Sequence, residues 1–258
     1  MKKILLSFDV EEFDIPQEYG DVVSEQEQIR VTEEGLEKLL HLLDHLNIKA
    51  TFFMTAHFAT VSKALAKRIA EKHEVASHTF YHSSFELSHL RQSRETLEQI
   101  TGAKVTGFRM PRLAHVSKSD LVAAGYVYDS SLNPTYIPGR YNNFFSKRTI
   151  HKSENIVVIP SSVTPLIRFP LFWLSFKNFS LFLIKFLTSL TLAADDYVCL
   201  YFHPWEFVDI SKYKVPAYVK RLDGERLLER FEKYLRWLKT KGDFCTMTEY
   251  ILNQNSIK

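Results

Sequence analysis

Strand-like and helix-like segments alternate along this chain. Short apolar runs typical of buried strands are followed by longer segments in which apolar residues recur every three or four positions. The predicted strands are 3–9, 50–55, 74–77, 106–109, 156–159, 197–202 and 244–247, and the predicted helices are 32–46, 61–72, 90–101, 117–124 and 224–239. Repeated strand–helix units indicate an α/β fold, either a parallel sheet or an α/β barrel.

The composition is that of an ordinary globular domain. Hydrophobic residues make up 45% of the 258 residues and charged residues 24%, which excludes disordered and fibrous classes. The 33 basic and 30 acidic residues nearly balance, so no nucleic-acid partner is expected. Because no internal repeat and no Pro- or Gly-rich linker divides the sequence, we expect one domain over 1–258. The irregular stretch 132–155 is predicted to be a long loop.

The N-terminus begins with two lysines and a short apolar run that stops at Asp9. A secretory signal needs an apolar region of about 7–15 residues and a small-residue cleavage site, and neither is present. We therefore expect the first strand of the fold here, and a cytoplasmic protein.

The segment 171–194 is long and apolar, but lysines interrupt it. Each lysine could cost about 2.5–3.5 kcal/mol near the centre of a membrane span. At 100° per residue the polar positions fall within an arc of about 120°, which predicts a helix with one polar stripe and a wide apolar face. These positions are Lys177, Asn178, Lys185 and Ser189. Packing of this helix on the protein body and peripheral contact with a membrane surface both remain open.

Four acidic residues stand within six positions at the end of the first predicted strand. Buried carboxylates are costly unless they are paired or bind a cation. Side chains alternate along a strand, so Asp9 and Glu11 point to the same side, and Glu12 points away if the chain is still extended. Acidic loops after strands are common, and the run alone is a weak indication of a site.

His78 and His82 lie four residues apart after the predicted strand 74–77. One helical turn would direct both imidazoles toward one metal ion. His41 and His45 have the same spacing within a leucine-rich helix, with no acidic strand end in their local pattern, and we interpret that pair as structural. The metalloprotease pattern His-Glu-x-x-His is absent.

Three further polar motifs occur in 107–112, 125–131 and 200–206, and the first and last of them stand at predicted strand ends. In the first, Arg109 precedes a proline, and an arginine at a strand end can hold a carboxylate ionised. In the last, an apolar strand ends in His203, which a proline follows. A surface arginine beside a turn and a structural histidine are the alternative interpretations.

Taken together and in this order, these motifs resemble the polysaccharide deacetylases, the family-four carbohydrate esterases. Residues 50–55 are similar to that family's second strand, and 73–82 to its metal-binding signature. The resemblance covers roughly 3–132 and 197–206. The acidic start, 128–131 and 203–206 look like a branch associated with bacterial exopolysaccharide gene sets. The resemblance implies a distorted, incomplete (β/α) barrel, in agreement with the alternation above.

The resemblance also implies a metal site. Glu11, His78 and His82 would bind one divalent metal ion, with zinc favoured. The family more often has Asp-Asp at the acidic positions, which leaves Glu11 and Glu12 both open as the carboxylate ligand, although strand alternation favours Glu11.

The acid–base and substrate-binding residues are implied in the same way. Asp9 would be the general base, oriented by Arg109, and His203 the general acid, supported by Asp129. Arg112 stands where the family often has a tyrosine whose backbone N–H serves the oxyanion. The substrate-binding positions would be Pro111, Arg112, Asp129 and Trp205.

The activity implied is removal of acetyl groups from N-acetylated sugars of a polysaccharide or glycan precursor. One alternative is hydrolysis of a small or cyclic amide, as in allantoinase-like relatives, which tend to lose the metal set. A second is a non-catalytic glycan-binding or membrane-surface protein, which loss of Asp9 or His203 would support. The full set of residues favours the enzyme. The sugar polymer, the metal and the oligomeric state stay open.

Overall fold

Our computed structural model describes residues 2–255, which form a curled nine-stranded sheet, a separate two-stranded sheet, the surrounding helices and the loops between them. The strands are β1 (Lys3–Val10), β2 (Thr51–Met54), β3 (Glu74–Ser77), β4 (Gly107–Phe108), β5 (Tyr128–Asp129), β6 (Tyr136–Ile137), β7 (Tyr141–Asn142), β8 (His151–Ser153), β9 (Ile156–Val158), β10 (Tyr197–Phe202) and β11 (Asp243–Phe244). The helices are α1 (Glu25–Leu46), α2 (Ala56–Val61), α3 (Lys63–Lys72), α4 (Ser88–Thr101), α5 (Lys118–Ala123), α6 (Trp173–Asn178), α7 (Leu181–Asp195), α8 (Gly224–Lys239) and α9 (Met247–Asn255), with short 3-10 helices at Ile15–Tyr19, Pro111–Leu113 and Pro204–Phe207.

The main sheet has the strand order β10-β1-β2-β3-β4-β5-β9-β8, and β11 also pairs with the start of β1. Every pairing in it is parallel except that of β8 with β9. The sheet curls into a half-barrel flanked by helices, so the predicted distorted, incomplete (β/α) barrel is confirmed. The carboxyl ends of the parallel strands meet at one rim, where barrel sites are built.

β1 lies between β10 and β2 and is buried on both faces. Ile4, Leu6 and Phe8 pack in the cluster between sheet and helices, whereas Leu5 packs in a second cluster on the other face of the sheet. Because side chains alternate along a strand, Asp9 shares the face of Leu5 and lies inside the barrel. A strand buried on both faces reads as a continuous apolar run, which is what made β1 recognisable.

α1 begins at Glu25 rather than at 32. Ser24 caps it by accepting a hydrogen bond from the Glu27 backbone N–H at 3.3 Å. The first turn is polar, so apolar periodicity did not reveal it. Farther along α1, Gly35 permits a very close approach to the 3-10 helix after β10, because a Cβ there would lie 1.9 Å from the Pro204 carbonyl oxygen.

The stretch 132–155 is not a loop throughout. β6 and β7 pair as an antiparallel hairpin, and β8 pairs with β9. β6, β7 and β8 are only two or three residues long and largely polar, so they lack the alternating apolar pattern that predicts a strand.

The segment 171–194 is two helices rather than one. Phe179 is extended and Ser180 caps α7 by accepting from the Leu183 N–H at 3.3 Å, which separates α6 from α7. The predicted polar stripe is wrong in one member, because Lys177 is buried and its Nζ donates to the Val219 carbonyl at 2.8 Å. Among the helices within 2–255, none combines the length and apolarity needed to cross a membrane.

His73 gives the fold a testable pH dependence. Its Nδ1 accepts a hydrogen bond from the Ala50 N–H at 3.3 Å, and burial lowers its pKa to about 4. A histidine with a folded pKa below its unfolded value of about 6.5 contributes stability that is complete above that pH and is lost as the pH falls toward 4.

Between pH 7 and pH 5 we expect the free energy of unfolding to fall less in His73→Gln than in the wild type. The difference between the two proteins should grow by up to about 1.36 kcal/mol for each pH unit below 6.5. Urea unfolding at the two pH values measures this difference. His115→Gln, at an exposed position, is the control and should follow the wild type. Parallel losses in the wild type and His73→Gln would contradict the prediction.

Candidate active site

A cavity of about 540 Å³ opens at the rim formed by the carboxyl ends of the strands. β1 leads Asp9 and Glu11 into it, the turn after β3 supplies two histidines, and His203 follows β10 directly. The remaining wall includes seven aromatic side chains. The sequence places these residues far apart, and the parallel sheet brings them to one place because each stands at or just after a strand end.

Glu11, His78 and His82 form the centre of the site. Glu11 Oε2 lies 3.2 Å from His78 Nε2 and 3.0 Å from His82 Nε2, and one ligand atom from each residue lies within 4.8 Å of the others. All three side chains are buried. Two donor atoms about 2.1 Å from one tetrahedral ion would lie roughly 3.4 Å apart, so these residues could hold a metal ion after a small adjustment.

The other ring nitrogen of each histidine is fixed by a partner. His78 Nδ1 donates to the Arg109 backbone carbonyl at 2.7 Å, and His82 Nδ1 contacts Asp14 Oδ1 at 2.8 Å. These contacts orient both rings so that the Nε2 atom of each faces the Glu11 carboxylate. Metal-binding histidines are oriented in this way by a carbonyl or carboxylate.

The charge distribution also fits a cation. Burial raises the pKa of Glu11, but the charge of His82 and the hydrogen bonds of both imidazoles outweigh it, so the net shift is well below the usual range. Burial lowers the pKa of His82, but the nearby carboxylates of Glu11 and Asp14 have the larger effect and raise that pKa to about 10. A cluster of acceptor atoms that binds a proton this tightly favours positive charge at its centre, which a divalent ion also supplies.

Glu12 is buried but stands apart from this cluster. Its carboxylate accepts from the Thr55 hydroxyl at 3.2 and 3.3 Å, and burial raises its pKa. The structure therefore places Glu11, and not Glu12, beside His78 and His82, which is the arrangement that strand alternation favours.

Asp9 and Arg109 form a buried ion pair beside the cluster. Arg109 Nη1 donates to Asp9 Oδ1 at 2.5 Å, and its remaining nitrogens donate to the carbonyl and hydroxyl of Ser130 at 3.1 and 2.9 Å. Its guanidinium stacks 4.0 Å from the ring centroid of Phe53. Arg109 is wholly buried, so these contacts hold Asp9 in one position.

His203 stands on the other side of the cluster. Its Nε2 lies 4.0 Å from Asp9 Oδ2 and 4.0 Å from Glu11 Oε1, while its Nδ1 contacts Glu206 Oε1 at 3.0 Å. Burial lowers the pKa of His203, but the hydrogen bond to Glu206 and the nearby carboxylates outweigh it and raise the pKa above its usual value.

The expected support of His203 by Asp129 is wrong. Tyr128 packs in the same cluster as Leu5, so the next residue along β5 points to the opposite face, toward the helices. There Asp129 accepts from Lys118 and from the Ser131 hydroxyl. Glu206 is the carboxylate that supports His203.

A known protein family matches the N-terminal half of this chain. Residues 2–129 match the family model described as polysaccharide deacetylase. The chain belongs to the polysaccharide deacetylase family. A relative from Bacillus subtilis (strain 168), the uncharacterized protein YlxY, is 33% identical over 86 residues, which are 30% of this chain and 27% of that protein. The chain therefore matches only about a quarter of the length of that curated relative.

Solved structures share the fold at low sequence identity. A protein from Mycobacterium smegmatis assigned as a polysaccharide deacetylase has a TM-score of 0.68 at 18% identity, covering 98% of this chain and 90% of its own. The Puue allantoinase has a TM-score of 0.66 at 14% identity, covering 96% and 88%. A CE4 family pseudoenzyme from Bacillus anthracis has a TM-score of 0.54 at 15% identity, covering 96% and 64%.

Arg112 lies at the rim of the cavity and pairs with acidic side chains there. Its nitrogens donate to Glu18 Oε1 at 2.6 Å, Asp14 Oδ2 at 3.0 Å and the His82 carbonyl at 3.0 Å. Its backbone is left-handed, with φ 55°, and so turns sharply after Pro111. Pro111 is buried and is not part of the cavity wall.

Trp205 is a wall of the site with almost no exposed surface. Its ring stacks on His203 at a centroid distance of 4.9 Å, and its Nε1 donates to Glu11 Oε1 at 3.3 Å. It is 1% exposed, so its contacts are with site residues of this chain. Trp173 meets His203 edge-on at 5.1 Å and is more open.

Three residues of the site have contacts that the sequence analysis did not predict. Asp14 belonged to the acidic run, but its contact with His82 depends on the fold. Glu206 stands three residues after His203, the capping-box spacing that could have revealed their contact. Lys177 lies 3.3 Å from Glu206 Oε2. No sequence pattern indicated this contact, because lysines are seldom buried.

We expect the wild type to bind about one divalent ion per chain and the double variant His78→Ala/His82→Ala to bind none, because only Glu11 would remain of the three donors. Metal content after dialysis, measured by plasma mass spectrometry, checks this. The matched control His41→Ala/His45→Ala removes histidines of the same spacing from α1 and should keep the wild-type content. Full retention of metal by the His78/His82 variant would falsify the assignment.

Proposed function

We propose that this chain is a divalent-metal-dependent N-deacetylase acting on N-acetylated sugars of a polysaccharide or glycan precursor. The observation that carries the proposal is the pairing of Asp9 and His203 around the cluster of Glu11, His78 and His82 in one cavity. A carboxylate and an imidazole on either side of a metal-binding cluster are what hydrolysis of an acetamide requires, because its carbonyl is a poor electrophile and its amine a poor leaving group.

Glu11, His78 and His82 would hold the metal ion, with zinc favoured by a donor set of two imidazoles and one carboxylate. Such an ion, when bound, lowers the pKa of a water molecule and polarises the acetamide carbonyl. Three protein donors leave coordination positions open, which is the pattern of catalytic rather than structural sites.

Asp9 is suited to take the proton from the attacking water. Its Oδ1 accepts from Arg109, while Oδ2 faces the cavity side occupied by His203. Because Arg109 is itself fixed by Ser130, the carboxylate is held ready without a rearrangement.

His203 is suited to donate a proton from Nε2 to the departing sugar amine. Glu206 accepts from Nδ1 and thereby fixes the ring and raises its pKa, so that the ring carries a proton at a higher pH than a free histidine does. Lys177 contacts Glu206 Oε2 at 3.3 Å and keeps that carboxylate in place.

The substrate would enter over the open aromatic rim. Tyr218 is 50% exposed and Trp173 and Tyr19 are partly exposed, so each offers a flat apolar surface to a sugar ring. The backbone N–H of Arg112, at the left-handed turn, is our candidate for binding the oxyanion. A bacterial exopolysaccharide is the polymer we favour, and the expected cytoplasmic location stays a prediction.

Acetate release tests the proposed function. We would incubate the full chain with a panel of N-acetylated glycans, and with allantoin as a cyclic amide, each with and without a chelator. The proposal predicts one acetate and one free amine per cleavage from at least one glycan, and loss of activity with chelator. Activity on allantoin alone, or on none of the panel with metal loaded, would contradict it.

We expect Asp9→Asn and His203→Ala each to reduce the rate by at least about 10²-fold, the scale of general acid–base catalysis. A substrate with a better leaving amine should partly rescue His203→Ala and not Asp9→Asn, because only His203 serves the leaving group. Steady-state kinetics on the two substrates measure this. Equal rescue of both variants would mean that the roles are assigned wrongly.

We expect Glu206→Gln to move the alkaline limb of the pH–rate profile to lower pH. Activity requires protonated His203 and is lost as the pH rises through its pKa, and removing the Glu206 charge lowers that pKa. Profiles of kcat/KM against pH for Glu206→Gln and for the control Glu12→Gln check this, since Glu12 faces Thr55 instead. An unmoved alkaline limb in Glu206→Gln would exclude His203 as the titrating acid.

A further inference from the structure

α7 presents an apolar stripe to solvent. Phe182, Phe186 and Leu190 are 82%, 52% and 43% exposed, and their spacing of four residues puts them on one face of the helix. The opposite face is packed on the barrel through Ile184 and Leu187. α7 therefore buries one apolar side and leaves the other in water.

The stripe continues beyond α7. Phe179, just before the helix, is 43% exposed, and its ring meets that of Phe169 at 5.1 Å. Phe169 closes the short loop in which Leu166 is 92% and Ile167 69% exposed. Single exposed apolar residues are common, but a group of this size on neighbouring segments marks a surface that binds something apolar. We call these six residues the apolar surface: Leu166, Ile167, Phe179, Phe182, Phe186 and Leu190.

Cations border the apolar surface on the side of α8. Arg230 donates to the Phe179 carbonyl, and the Nζ atoms of Lys185 and Lys241 each lie 5.6 Å from the ring centroid of Trp237. Lys233 falls within an arc of about 60° with Arg230 and Trp237 on α8, at 100° per residue. These four cations are the cationic border: Lys185, Arg230, Lys233 and Lys241.

The cationic border has no acidic partners. Within residues 2–255 none of its members forms a salt bridge, whereas Arg236, on the other side of α8, pairs with Glu232 at 2.7 Å. Unpaired cations beside exposed aromatic residues are complementary to a ligand that is apolar and anionic together. A second copy of this chain docked through the same surface would supply further cations and not the anionic groups that the border lacks.

We propose that the apolar surface and the cationic border bind the surface of an anionic lipid bilayer. The phenylalanines would enter the boundary between headgroups and acyl chains, and the cations would meet lipid phosphates. α6 leads directly into α7, and its Trp173 and Leu174 line the cavity, so the bound bilayer would lie on that side of the active site. Action on bilayer-anchored glycans rests on the proposed function, whereas bilayer binding does not.

Vesicle co-sedimentation of the full chain tests this without any assay of activity. We expect the wild type to bind vesicles of equal parts phosphatidylcholine and phosphatidylglycerol, and to bind pure phosphatidylcholine much more weakly. Phe182→Ser/Phe186→Ser and Lys185→Glu/Lys233→Glu should each weaken binding by about tenfold or more, because one removes insertion and the other reverses the charge attraction.

Matched controls change the same chemistry elsewhere. Val22→Ser/Val61→Ser alters residues that are 94% and 54% exposed, and Lys63→Glu/Lys67→Glu reverses two exposed charges on α3. Both should bind like the wild type, and circular dichroism confirms that each variant is folded. Absence of wild-type binding to the anionic vesicles, or undiminished binding by Phe182→Ser/Phe186→Ser, overturns the proposal. Self-association that this variant abolishes, without vesicle binding, would also overturn it and identify a dimer interface.

Discussion

Asp9, Glu11 and Asp14 are buried close together at the end of β1, and the cost of removing three carboxylates from water must be offset by positive charge. Arg109 pairs with Asp9, the two imidazoles face Glu11, and Arg112 donates to Asp14. These partners come from the loops after β3 and β4, so electrostatic compensation ties the rim together. Removing one partner of a buried pair typically costs about 3–5 kcal/mol, which makes the site part of the stability of the fold.

The same arrangement separates the roles of similar side chains. Glu11 and Glu12 are neighbours in sequence, yet one faces two imidazoles and the other a threonine hydroxyl. His203 gains its elevated pKa from Glu206, which is itself held by the buried Lys177. The fold alone would not decide the chemistry, since an allantoinase and a pseudoenzyme share it, and function resides in the side chains placed on such a scaffold.

Much of the fold was readable from the sequence, because β1, β2, β3 and β10 are apolar runs separated by amphipathic helices. Strand alternation also put Asp9 and Glu11 on one side. What could not be read depends on contacts between distant segments. The side of β5 on which Asp129 lies follows from the packing of Tyr128, and the burial of Lys177 follows from the break between α6 and α7. The short strands β6 and β7 carry too little apolar pattern to be predicted.

The position of the metal tests the account most directly. A crystal of the zinc-loaded protein, with diffraction data collected on both sides of the zinc absorption edge, would locate the ion independently of any assay. The account predicts one anomalous peak about 2.0–2.2 Å from the Nε2 atoms of His78 and His82 and from a carboxylate oxygen of Glu11. A peak bound by Glu12, a peak at another site, or no peak between these three residues would contradict it.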